Sequence, residues 1–79
     1  MSMSKQEITN YKKHFGLKVK EIRESKELSQ LDLASEINVE KTSISRIENG
    51  RTNVTLITIA KLSKALEVEI KELLNFKIN

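Results

Sequence analysis

The run Ser29-Gln30-Leu31-Asp32-Leu33-Ala34, followed by Thr42-Ser43-Ile44-Ser45-Arg46-Ile47-Glu48-Asn49-Gly50, constrains the fold more than any other stretch of this chain. It reads as two short helices packed at a fixed angle, a device for holding the second helix out into solvent. Ser29 is a good N-cap, its hydroxyl able to accept from the amide of Asp32. Asp32 itself puts a negative charge in the first turn, where the helix dipole favours it. A helix is therefore predicted to start at Gln30, with Leu33, Ala34 and Ile37 on its inner face. Asn38 then breaks the pattern with a residue that tolerates the left-handed conformation. The second helix is predicted to begin near Lys41 and to bury Ile44 and Ile47. That leaves Lys41, Thr42, Ser43, Ser45 and Arg46 on surface the core does not use, and Gly50 ends the helix.

The rest of the chain also reads as helix. Ser4-Lys5-Gln6-Glu7 fits a capping box, and Ile8, Tyr11, Phe15, Val19 and Ile22 recur at helical spacing, so a first helix is predicted from about Lys5 to Lys26. Residues 1–11 are either an N-terminal extension or the start of that helix. Thr55 is a plausible N-cap for a fourth helix with Ile59, Leu62 and Leu66 inward, and a fifth is predicted from about Glu69 to Phe76. Strand signals are missing, and Asn49-Gly50 reads better as a helix end than as a hairpin.

Composition sets limits. A chain of 79 residues leaves room for one domain, expected to be of modest stability unless it pairs with another copy. No sensing, cleavable or catalytic module is expected beside it. The absence of cysteine excludes disulfides and thiolate metal sites. No apolar run suggests a signal peptide or a membrane span, so a cytoplasmic protein is expected. His14, the single histidine, lacks the partners for a zinc site and is expected at the surface. No Gly-x-Ser-x-Gly elbow, phosphate loop or Asp-His pairing accompanies the serines, so neither an enzyme nor a cofactor is expected.

The net charge of +3 is modest, and its distribution says more than its size. Residues 1–26 carry seven Lys/Arg against three acids, residues 27–50 two against five, and the remainder five against three. Lys5, Lys12, Lys13, Lys18, Lys20 and Lys26 make a basic patch on the first helix that reads equally well as a solvated face or a binding surface. An acidic central pair of helices can attract phosphate only through a few placed groups.

Residues 15–74 resemble the helix-turn-helix domain of the lambda-repressor/Cro type, also called xenobiotic-response-element-like regulators. Phe15-Gly16, Val19, Ile22-Arg23, Leu28-Ser29-Gln30, Leu33-Ala34, Ile37, Ile44-Ser45-Arg46-Ile47-Glu48-Asn49-Gly50, Thr55-Leu56, Ala60-Lys61-Leu62, Ala65-Leu66 and Glu72-Leu73 carry the likeness. The resemblance implies an all-α, compact five-helix fold, with residues 12–79 forming the Cro/C1-type domain and a C-terminal dimerisation helix. It departs from the family at Glu27, Asn38 and Glu67, where relatives commonly carry glycine at turns of positive φ, and at Val54, where proline is frequent.

The resemblance also implies roles. Lys41, Thr42, Ser43 and Arg46 would face bases in the DNA major groove, where Lys and Arg can donate to guanine O6 and N7 and the hydroxyls can donate, accept or touch a thymine methyl. Gln30, Arg51, Thr52 and Asn53 would meet phosphates, and Arg23 and Glu48 would form a partly buried ion pair. The C-terminal segment carries more apolar groups than one face can bury, so Ile70, Leu73, Leu74, Phe76 and Ile78 are expected to form a dimer surface. The implied protein is a transcriptional regulator that binds a palindromic operator in double-stranded DNA as a homodimer, similar to the stand-alone controller proteins of restriction-modification systems. The alternative is an antitoxin that silences a toxin partner and autoregulates through the same motif. Any RNA polymerase contact is left open.

Overall fold

The computed structural model describes residues 2–78, which form five helices and no strand: α1 (Lys5–Ser25), α2 (Gln30–Glu36), α3 (Lys41–Glu48), α4 (Leu56–Leu66) and α5 (Ile70–Leu73). Each boundary has a local cause. Ser4 and Glu7 close a capping box at the start of α1: the Glu7 amide donates to Ser4 Oγ (3.1 Å) and the Ser4 amide to Glu7 Oε1 (3.0 Å). Ser29 and Asp32 repeat it at α2, both bonds being 2.9 Å. Thr55 caps α4 by accepting from the Thr58 amide at 3.1 Å. Residues 5–11 are thus the first turns of α1.

Three turns use left-handed backbone without glycine: Glu27, Asn38 and Glu67 have φ of 58°, 57° and 58°. The departures from the family pattern therefore change the residues while the positive φ remains. A β-carbon in this region is disfavoured; asparagine tolerates it better than glutamate.

Val19, Leu33, Ala34, Ile44, Leu62, Leu66 and Leu73 are sealed from solvent, with Phe15, Ile37 and Ile47 nearly so. Truncating Leu33 or Leu62 to alanine costs about 2–5 kcal/mol at such sites. Both α1 and α2 pack extensively on α3. At the crossing of α1 and α3, Gly16 is required by close approach. A Cβ there would collide with the Ile47 carbonyl oxygen and lie 2.7 Å from that of Glu48.

Two expectations need correction at the C-terminus. The fifth helix spans only Ile70–Leu73 and ends at Leu74, well short of Phe76. Leu73, expected at a dimer surface, is completely buried in the protomer's own core, because four residues of helix suffice to turn one apolar side chain inward. Phe76 is half-buried and folds back on α1, its ring stacked on His14 with centroids 6.1 Å apart. His14, in turn, is half-buried where a surface position was expected. Its Nδ1 lies 2.8 Å from the Asn10 carbonyl, which can only accept, so that nitrogen carries the proton.

Candidate nucleic-acid interface

The eight residues of α3 divide by position. Ile44 and Ile47 point into the core, and Glu48 is buried beside them. Lys41, Thr42 and Arg46 are exposed, whereas Ser43 and Ser45 are half-buried. Ser43 and Arg46 both line a groove of about 280 Å³ between α3 and the following loop, whose other wall includes Thr52 and Asn53. The structure thus brings Lys41, Thr42, Ser43 and Arg46 onto one short helix, beside two of the three loop residues singled out in the sequence. Asn49 is also turned to solvent, but its side-chain amide is engaged with its own helix, donating to the Ser45 carbonyl at 2.9 Å and to Ser45 Oγ at 3.3 Å.

Two elements lock the orientation of α3. Arg23 from α1 donates through Nε to Glu48 Oε2 (2.7 Å) and through Nη2 to Oε1 (3.0 Å). Its Nη1 donates to the Leu28 carbonyl at 2.7 Å. Gln30, the first residue of α2, donates from Nε2 to Glu48 Oε1 at 3.0 Å. The Glu48 carboxylate therefore ties α1, α2 and α3 together, and its hydrogen bond raises the Arg23 pKa above an already high ordinary value. Arg23 stays charged at any physiological pH. Among the described residues no buried side-chain nitrogen or oxygen is left unpaired.

The loop after α3 begins with Gly50 in the left-handed region, φ 71°. A Cβ on Gly50 would lie 2.9 Å from both Cα and Cγ of Lys13, so α1 closes over the end of α3. Arg51 is exposed, and its amide donates to the Arg46 carbonyl at 2.9 Å. Sequence reasoning missed this proximity of Lys13, since no local pattern links α1 to a loop so far along the chain. It also missed Leu56 and Ile57, which open α4 and are 69% and 64% exposed. Two consecutive bare aliphatics at a helix start were the available signal.

The chain is 52% identical over 63 residues to the control protein C.BamHI of Bacillus amyloliquefaciens, which covers 78% of each chain. Its fold is similar to the restriction-modification controller protein C.AhdI from Aeromonas hydrophila, with a TM-score of 0.75 and 38% identity over 77% of this chain and 92% of that one. It is also similar to the controller protein C.Esp1396I, solved as a tetramer in complex with its natural 35-base-pair operator, with a TM-score of 0.68 and 34% identity over 80% of this chain and 93% of that one. The helix-turn-helix family HTH_3 matches residues 19–73, spanning α2, α3, α4 and α5 whole, and the chain belongs to that family.

Proposed function

We propose that this chain is a cytoplasmic, non-enzymatic regulator of transcription that binds a palindromic operator in double-stranded DNA as a homodimer, as part of a restriction-modification system. The observation that carries the reading is α3 itself: Lys41, Thr42 and Arg46 stand free on a helix fixed to two others through one buried carboxylate. A rigid helix with a polar outer face is what reading base edges in the major groove requires. Lys41, Thr42, Ser43 and Arg46 read bases, and Arg51, Thr52 and Asn53 lie along phosphates. Gln30 has one amide contact committed to Glu48 and braces α3 while its remaining hydrogen-bonding capacity faces the backbone. The identity to C.BamHI supports the controller reading over the antitoxin one.

Information content supports the dimer. One helix making about three base contacts, at roughly 1–3 kcal/mol each, cannot single out a site in a genome. Two copies with helices about 34 Å apart double the readout. With Leu73 inside the core, the exposed aliphatics that the C-terminal part of the chain offers for pairing are Leu56, Ile57, Ile70 and Leu74.

Selection of bound duplexes from a random library, followed by footprinting on the DNA upstream of the protein's own gene, tests the reading. A palindromic consensus protected on that DNA is expected. Enrichment of no sequence over the starting pool overturns it.

A further inference from the structure

The electrostatics of α2 and α3 pose a problem that the regulator reading leaves open. Residues 27–50 carry five acids, of which Glu48 is buried and paired with Arg23, against only Lys41 and Arg46, both assigned to base edges, so this part of the chain has no cation to spare for phosphates. Counterion release needs cations close to the backbone, and it sets most of the sequence-independent affinity of a DNA-binding protein. Those cations must come from elsewhere in the fold.

The structure puts them at one place. The stem of Lys13 lies over Gly50, at the point where α3 ends. Lys12, its neighbour on α1, is half-buried and lines a groove with Thr52 and Asn53. Arg51 leaves the same corner, its amide bonded to the Arg46 carbonyl. Lys18 is held by Glu21 at 3.2 Å and Arg23 by Glu48, but Lys12, Lys13 and Arg51 form no ion pair among the described residues. Three uncompensated cations thus gather round the C-terminal end of α3, two of them on a part of α1 that precedes the residues matched by the family, which begin at 19. The C-terminus of a helix also favours nearby positive charge, which helps hold the cluster there.

We infer that Lys12 and Lys13 form, with Arg51, a phosphate clamp by which α1 supplies the electrostatic grip that α2 and α3, with both their exposed cations turned to base edges, do not. The inference rests on the DNA-binding reading and adds to it a division of labour. Residues on α3 choose the sequence, and α1 holds the backbone. Packing gives the clamp its register, because Gly50 has no side chain to push Lys13 away. The base of the Lys13 side chain is therefore fixed against the end of α3, and only its outer stem is free to reach a phosphate.

The test compares Lys12→Gln/Lys13→Gln with Lys61→Gln/Lys64→Gln, which removes the same charge from the groove between α4 and the end of α2. Affinity for the selected operator and for a random duplex is measured as a function of salt, with a circular-dichroism melt confirming that each variant folds. For Lys12→Gln/Lys13→Gln the slope of log affinity against log salt should flatten by about two units per protomer. Affinity for both duplexes should fall by the same factor, leaving base preference unchanged. Lys61→Gln/Lys64→Gln should keep the wild-type slope. An unchanged slope for the first variant, or equal flattening in both, overturns the clamp while leaving the regulator reading intact. A wild-type protein that binds no duplex overturns both.

Discussion

Arg23 and Glu48 meet fork to fork, Nε on Oε2 and Nη2 on Oε1, with side-chain exposures of only 8% and 2%. Gln30 fills a remaining lone pair on Oε1 and the Leu28 carbonyl accepts from Nη1, so neither charge is left short of partners. The pair's net contribution to stability is small compared with the loss when one partner is removed. Glu48→Ala strands a buried guanidinium and should destabilise the protein by about 3–5 kcal/mol, a large part of what a domain this small possesses. Urea denaturation checks it, and a wild-type midpoint for Glu48→Ala would show that the pair does not hold the fold.

Arg46 and Arg51 are both exposed cations, joined through one backbone hydrogen bond, yet they should fail differently. Arg46→Ala should cost about 1–3 kcal/mol on the operator and relax preference at one base position. Arg51→Ala should weaken binding to all sequences and flatten the salt slope by about one unit. Titrations on operator and random duplex at several salt concentrations separate the two. Loss of preference in Arg51→Ala but not in Arg46→Ala would reverse the assignment.

Glu67 closes α4 in the left-handed region, its amide donating to the Lys64 carbonyl at 3.2 Å. A side chain in that conformation costs about 1 kcal/mol or more, and a carboxylate at a helix C-terminus is also on the wrong side of the dipole. Glu67→Gly should stabilise by about 1 kcal/mol, with a smaller gain for Asn38→Gly. Thermal melts decide, and destabilisation by Glu67→Gly would mean that Glu67 has a compensating contact.

Asp32 is held below the usual carboxylate range, first by the hydrogen bond from the Ser29 backbone amide and then by the Ser29 hydroxyl. A depressed folded pKa contributes stability that is present above the unfolded value and is lost as pH falls through the folded one. Acid should therefore weaken the start of α2 below about pH 4. Asp32→Asn should lose this part of the acid dependence, so its melting temperature should vary less than wild type on the acid limb. Identical acid limbs would rule the capping box out as a contributor.

The parts of this fold legible in the sequence are those fixed by near neighbours. Ser4 with Glu7, Ser29 with Asp32, and Thr55 each announce a helix start because cap and first turn lie within four residues, and α1, α2 and α4 start there. The inward and outward faces of the C-terminal apolar segment were not legible. Whether Leu73 or Leu74 faces inward depends on where α4 places α5, and nothing local to Glu69–Phe76 encodes that. The left-handed turns at Glu27 and Glu67 were visible only through the family resemblance, since glutamate gives no signal for positive φ. The apposition of Lys13 and Gly50 is a tertiary event, legible only once α1 lies across α3.

Leu56, Ile57 and Leu74 are the most exposed of the four aliphatics proposed for pairing. They are 69%, 64% and 48% exposed. Phe76 is a poor site for a test because it packs on His14, and its loss would damage the protomer. Ile57→Glu combined with Leu74→Glu avoids that problem. Ile57 stands in the first turn of α4, where a carboxylate is favoured by the dipole, and Leu74 succeeds the last residue of α5. The variant should stay folded, sediment as a monomer at concentrations where wild type is dimeric, and lose cooperative binding to a full palindrome. A folded variant that still sediments as a dimer would move the interface off α4 and α5, toward the exposed Met3, Ile8 and Tyr11 at the start of the chain.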